Sequence, residues 1–209
     1  DPVHTPTEAL EPPYYLSIRW PAGQDGGDDK PVFSLTSVYV PRGRSNLASY
    51  LAVVAEASSP DYGKLRVLRM SDTHQIDGPG QTFNAINTDP KVAEKLRPFL
   101  NQGAASATYG NLLTLPMGNG LLYVLPIYTE RTGNAGSYPA LTFVVVRFGQ
   151  HVGIGNTLQE ALDAVDELLD LGVGDYPSAV QGRLVAGHAA LALGLCPLRR
   201  RWLRGGCFV

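Results

Sequence analysis

Three ionisable side chains suited to proton transfer lie close together in the sequence: Asp72, His74 and Asp77. A histidine flanked by carboxylates can act as a general acid or base when the group it serves is within hydrogen-bonding distance. The cluster would lie at the end of a predicted strand, where a hydrolase could use it. The same residue types are common in polar surface turns. The sequence favours the turn and leaves the acid–base cluster as an alternative.

A second polar cluster, made of Arg42, Arg44 and Asn46, has the chemistry of an anion-binding site. Arginine side chains bind carboxylates and phosphates through paired, charge-assisted hydrogen bonds, and an asparagine amide adds further hydrogen bonding. The competing interpretation is that both arginines form ion pairs with the domain's own carboxylates. The composition favours ion pairing, because residues 1–180 carry 12 basic and 19 acidic side chains.

The stretch QIDGPGQTFN, residues 75–84, contains the glycine-rich sequence Gly78-Pro79-Gly80. Glycine-rich loops ahead of a helix can bind phosphate through their backbone N–H groups, usually with a lysine nearby. Here the next basic residue is Lys91, and Pro79 removes one backbone donor. The sequence therefore predicts a turn in which Pro79 fixes its own φ and a flanking glycine adopts a positive φ.

The rest of the sequence contains no other motif that specifies a reaction. There is no Gly-x-Ser-x-Gly, His-x-His or His-Glu-x-x-His motif, and the two cysteines, Cys196 and Cys207, lack zinc-finger spacing. We therefore expect neither a metal nor a cofactor, and a non-enzymatic domain is favoured over an enzyme. The net charge of -2 at pH 7 gives no reason to expect binding to nucleic acid.

Hydrophobic alternation predicts a strand-rich first half. Strands are predicted at residues 14–20 and 32–40, and a third around Val53, where a short helix is the alternative. The sequence SPDYG then predicts a hairpin turn into a fourth strand with one solvent-facing side. Further along, the Asn119-Gly120 pair predicts another hairpin, and a single buried strand is predicted from Ala140 to the following helix.

Two helices have clear start signals. Thr88 or Asp89 can cap the first, with Pro90 in its first turn, where a missing N–H costs nothing. Thr157 and Glu160 form a predicted capping box for the second. The order of strands, helix, hairpin, strand and helix predicts an α+β fold, with a mostly antiparallel sheet and two or three helices.

The chain is predicted to contain an extended lead-in at residues 1–13, one α+β domain at residues 14–174 and an atypical tail at residues 175–209. Residues 181–209 carry five basic side chains, no acidic ones and both cysteines. One hypothesis is an out-of-frame or truncated ending, and the alternative is a native basic segment that contacts anionic lipid. Because the first residue is Asp1 rather than methionine, we expect a processed product or a fragment.

Several long blocks of the sequence resemble one family of uncharacterised bacterial proteins, UPF0182. The blocks are PYYLSIRWP, FSLTSVYVPRGRSNLASYLAV, YGKLRVLRM, QIDGPGQTFN, DPKVAEKL, YGNLLTLPMGNGLLYVLPIY and YPALTFVVVRFG. The resemblance extends over about residues 11–170. The resemblance implies a parent with several N-terminal transmembrane helices followed by a large region outside the membrane. It implies no activity and supplies no catalytic residues, because none is established for the family.

The function expected from these observations is that of a non-enzymatic extracytoplasmic domain. It would belong to a multi-pass protein of the cell membrane, attached through a transmembrane part of the parent, and would bind an envelope component, a protein partner or a transported solute. The first alternative is an envelope hydrolase that uses Asp72, His74 and Asp77. The second is a structural piece whose exposed surfaces pack against other parts of the parent, which large apolar patches would favour.

Overall fold

The computed structural model of the chain describes residues 12–20, 30–71, 75–100, 105–117, 120–131 and 138–170. In these ranges the chain forms two antiparallel sheets and three helices, which confirms the predicted α+β class. None of the described helices has the length and apolar character needed to cross a bilayer. Apart from Pro12 and Pro13, the predicted lead-in and tail lie outside the described residues, so the domain limits stay predictions.

The first sheet is a four-stranded antiparallel meander. Its strands are β1 (Tyr14–Ile18), β2 (Val32–Tyr39), β3 (Ser49–Val54) and β4 (Leu65–Arg69), and they lie side by side in chain order. The segment around Val53, for which a short helix was the alternative, is therefore a strand. Its β-branched and aromatic residues alternate between buried and half-buried positions, as expected for a pleated strand.

The second sheet has five strands: β5 (Ala105–Tyr109), β6 (Leu113–Met117), β7 (Gly120–Arg131), β8 (Ala140–Phe148) and β9 (His151–Gly155). The long strand β7 pairs with β8 along one edge and with β5 and β6 along the other. The predicted hairpin is confirmed by the pairing of β6 with β7, although its two turn residues lie outside the described ranges.

The single strand predicted after Ala140 is wrong, because the chain turns back within it. Strands β8 and β9 form a hairpin closed by Gly149 and Gln150, and Gly149 has a φ of 59°. A glycine with positive φ at the first position of a two-residue turn is the usual requirement of a tight hairpin. The sequence does not reveal the break by hydrophobicity, since both strands are buried from Val144 onwards.

The three helices are α1 (Pro79–Thr88), α2 (Pro90–Leu100) and α3 (Leu158–Asp170). The Asp89 carboxylate caps α2 as predicted, accepting hydrogen bonds from the backbone N–H groups of Lys91 at 2.9 Å and Val92 at 3.2 Å. Thr157 caps α3 by accepting from the N–H of Glu160. The Glu160 carboxylate accepts from the N–H of Asn156, one residue earlier than a standard capping box requires.

Helix α1 corrects the predicted turn at QIDGPGQTFN. Gly78 is the N-cap residue in an extended conformation with φ of -74°, and Pro79 is the first helical residue, so neither flanking glycine has a positive φ. The side chain of Gln81 accepts a hydrogen bond from the Gly78 N–H. Gly78 is required here by a close approach, since a Cβ at this position would lie 2.3 Å from the carbonyl oxygen of Ser45.

The second sheet is covered on both faces. One face packs against the inner side of the first sheet and against α3, in a core that includes Leu16, Tyr50, Leu122, Phe148 and Leu162. The opposite face packs against α1 and α2, in a core that includes Ile86, Val92, Leu96, Leu125 and Val145. The second sheet is thus the middle layer, and the first sheet is an outer layer.

Candidate functional site

A cavity of about 450 Å³ lies at one end of the first sheet. Two of its side chains, Arg44 and Arg69, are cationic, and both are exposed to solvent. The cavity, called the arginine cleft below, has both polar and apolar walls, formed by Pro41, Arg44, Asn46, Leu47, Ala48, Arg69, Met70, Ser71 and Gln75.

The loop between β2 and β3 forms one side of the arginine cleft. It begins with a turn in which the Arg44 N–H donates to the carbonyl of Pro41 at 3.0 Å. It then pairs with the segment before α1, because Asn46 and Asp77 form an isolated antiparallel bridge and the Leu47 N–H donates to the Ile76 carbonyl at 2.9 Å. These backbone contacts hold Arg44 beside the rim of the first sheet.

Strand β4 supplies the other cation of the cleft. Arg69 is its last residue and pairs with Ser49, the first residue of β3. The next residue, Met70, donates its N–H to the carbonyl of Ala48, which joins the end of β4 to the loop that carries Arg44. Two arginines from different parts of the sequence therefore meet at one cavity.

The chemistry of the arginine cleft suits an anion. Each guanidinium presents several N–H donors in a plane that matches a carboxylate or a phosphate. The amide of Asn46 donates to the side-chain oxygen of Gln75 at 3.2 Å, so these two polar side chains hold each other in place on the wall. Leu47 and Met70, which are buried in the core, also contribute to the lining.

The ion pairs between described residues do not involve Arg42, Arg44 or Arg69. Their cationic members are Lys64, Arg66 and Arg147. The interpretation that Arg42 and Arg44 pair with the domain's own carboxylates therefore finds no support within these ranges. The structure brings the predicted Arg44 and Asn46 together, places Arg42 outside the cavity lining and adds Arg69, which sequence reasoning missed. The missed signal is the strand register, because only the β3–β4 pairing shows that Arg69 ends beside the Arg44 loop.

Asp77, a predicted acid–base residue, forms an ion pair with Arg147 on β8. The Asp77 carboxylate lies 2.5 Å from the Arg147 guanidinium, which is 3% exposed. The same guanidinium donates to the hydroxyl of Thr82 in α1, and the Tyr123 hydroxyl donates to the Asp77 carbonyl at 2.5 Å. Asp77 thus fixes the segment before α1 to the second sheet. Its predicted partners, Asp72 and His74, lie outside the described residues.

Comparison with known proteins identifies the same family that the sequence blocks resemble. The sequence profile of the Uncharacterised protein family (UPF0182) matches residues 2–99. A UPF0182 protein from Thermobifida fusca is 51% identical over 153 residues, which is 73% of this chain and 14% of that protein. The chain belongs to the family UPF0182.

Other UPF0182 relatives show the same pattern of coverage. A protein from a Nocardioides species is 45% identical over 74% of this chain and 15% of its own length. One from Streptomyces coelicolor is 42% identical over 79% of this chain and 16% of its own length. The UPF0182 chain described here therefore spans about one-seventh of the length of these relatives. No solved structure matches the chain significantly.

His151 is the remaining ionisable residue of chemical interest in this UPF0182 chain. It is buried at the start of β9 and pairs with Phe148, so it lies on the α3 side of the second sheet, opposite Asp77 and Arg147. Its burial lowers the pKa of His151 below the ordinary value for histidine. In the described ranges, no three histidine, cysteine, aspartate or glutamate side chains converge in a way that could hold a metal ion.

Replacing Asp77 by alanine is expected to destabilise the fold by about 3 kcal/mol, because it leaves a buried guanidinium without its carboxylate. Urea denaturation of the wild type and the variant would measure the loss. In the double variant Asp77→Ala/Arg147→Met, where the buried charge is also removed, much of the lost stability should return. Additive losses in the double variant would show that the two side chains are not energetically coupled.

The burial of His151 also predicts a pH dependence of stability. Because the folded protein binds this proton less readily than the unfolded chain, the free energy of unfolding should fall as the pH drops below the ordinary histidine pKa of about 6.5. The variant His151→Gln should lose less stability than the wild type between neutral and mildly acidic pH. Urea denaturation at both pH values tests this, and equal losses in the two proteins would contradict it.

Proposed function

We propose that this chain is a non-enzymatic, extracytoplasmic ligand-binding domain of a membrane-anchored UPF0182 protein, and that the arginine cleft binds an anionic group of its ligand. The observation that carries the proposal is the meeting of Arg44 and Arg69 at one cavity without an ion pair to any described carboxylate. Exposed cations that converge on a concave surface attract and orient anions.

The size and lining of the arginine cleft favour a small organic anion. Its volume of about 450 Å³ lies within the usual range for small-molecule sites. The guanidinium groups of Arg44 and Arg69 suit a carboxylate or a phosphate. An envelope component or a transported solute of this chemistry fits the proposal.

The membrane attachment and the extracytoplasmic location have a different basis. They depend on the resemblance of the sequence blocks to multi-pass members of the family. The relatives agree with a larger parent, because the chain spans only 14% of the Thermobifida fusca protein. The alternative of an envelope hydrolase has less support, since the Asp77 carboxylate pairs with Arg147 and supports the fold.

The proposal is tested by titrating the chain with inorganic phosphate and with citrate at constant ionic strength, and by following backbone amide shifts by nuclear magnetic resonance. The largest shifts should fall in residues 44–48 and 69–71. Because a hydrogen bond to a charged group contributes about 1.5–3 kcal/mol, Arg44→Ala/Arg69→Ala should weaken binding at least about tenfold.

The matched control is Arg42→Ala/Arg97→Ala, which removes two exposed arginines that do not line the cleft. Its affinity should stay within about twofold of the wild type, since neither arginine lines the cleft. The control also has the same net charge as Arg44→Ala/Arg69→Ala, so a general effect of charge would appear equally in both variants. An equal loss of affinity in the control would show that the anions respond to the net charge of the protein and not to the arginine cleft. The absence of saturable binding of either anion to the wild type would overturn the anion-binding proposal.

A further inference from the structure

The outer face of the first sheet is unusually apolar for a surface. Strand alternation directs one set of side chains away from the core, and five of these are large and strongly exposed. Their exposed fractions are 62% for Tyr15, 43% for Phe33, 51% for Tyr39, 56% for Leu65 and 50% for Val67. The rings of Tyr15 and Phe33 stack on this face with centroids 5.5 Å apart.

The register of the strands shows that the apolar surface is continuous. Val53 lies directly between Leu35 on β2 and Leu65 on β4, and Leu51 lies opposite Val67. Of the twelve outward positions in the four strands, eight are apolar or tyrosine, three are serine and the last is Arg69. The face therefore contains no acidic side chain, and its one charge lies at the end where it meets the arginine cleft.

Such a face is not typical of a sheet that ends in water. An antiparallel sheet with one solvated side normally alternates apolar residues inside with polar residues outside. The inner side of this sheet is already apolar and packs in the core through Leu16, Ile18 and Tyr50. A sheet that is apolar on both sides is stable when a further layer covers it, and contiguous apolar patches of this kind mark interaction surfaces.

We infer that, in the full-length protein, the outer face of the first sheet packs against an apolar segment of the same polypeptide outside this chain. The relatives provide the source of this segment, because the chain spans only 14% of the Thermobifida fusca protein and 16% of the Streptomyces coelicolor protein. A covalently linked segment also has a high effective concentration at the face, which a separate molecule lacks. The near absence of charge on the face fits an apolar helix or sheet as the covering layer.

The inference is independent of the proposed ligand. It concerns the side of the first sheet that carries Phe33 and Val67, whereas anion binding depends on the loop and strand end that carry Arg44 and Arg69. If phosphate and citrate do not bind, the inference that the outer face is covered is unaffected. If the face is exposed in the full-length protein, the proposal that the arginine cleft binds an anion is unaffected.

Cysteine labelling tests the inference directly. Val67→Cys is introduced into this chain, and cysteine is placed at the aligned position of the full-length Thermobifida fusca relative. Maleimide modification is followed in the same detergent by mass spectrometry of the labelled peptide. A packed layer that must open before labelling should slow modification in the full-length protein at least about tenfold, which corresponds to about 1.4 kcal/mol.

A control cysteine at Glu94, on the exposed side of α2, should be labelled at similar rates in both proteins. Leu65→Cys serves as a second probe if Val67→Cys does not give a cooperative thermal transition. Equal rates at positions 67 and 65 in the two proteins would overturn the inference. If labelling of this chain alone slows as its concentration rises, the face is covered by a second copy of the chain, and the inference is overturned. Protection by vesicles of phosphatidylglycerol would assign the face to a lipid surface.

Discussion

The ion pair between Arg147 and Asp77 is the constraint that holds the segment before α1, and with it one side of the arginine cleft, against the second sheet. A buried guanidinium is costly unless a carboxylate and further hydrogen-bond acceptors surround it. Arg147 is nearly inaccessible on β8, and it obtains these partners from Asp77 and from Thr82 in α1. The segment before α1 must therefore lie against the second sheet, although it follows directly from the first.

The position of that segment determines the shape of the cleft. The Gly78 N–H donates to the Ser45 carbonyl at 3.0 Å, and the Leu47 N–H donates to the Ile76 carbonyl. The loop that carries Arg44 is thus attached to the segment that Arg147 holds. The carboxylates of the described ion pairs bind other cations. Asp77 pairs with Arg147, and Asp61 pairs with Lys64 and Arg66. Neither Arg44 nor Arg69 forms an ion pair with a described carboxylate, which supports the proposed binding of an anion at the cleft.

Local features of this fold could be predicted from the sequence, and contacts between distant residues could not. The Asp89 cap, the β6–β7 hairpin and the Thr157 cap each depend on a few neighbouring residues, so their signals are local. Arg147 and Asp77 are 70 residues apart, and no local pattern links them. The meeting of Arg69 with Arg44 likewise depends on strand register. The helix start at Gly78 does have a local signal, because a proline followed two residues later by glutamine is typical of the first turn of a helix.

Amide hydrogen exchange in an Asp77→Asn variant is the most direct test of the central claim. If the ion pair holds the segment before α1, the amides of Leu47 and Gly78 should lose far more protection than those of Leu125 and Val145 in the central strands β7 and β8. A uniform loss across all four amides, or unchanged protection at Leu47 and Gly78, would contradict the claim that Arg147 and Asp77 position the arginine cleft.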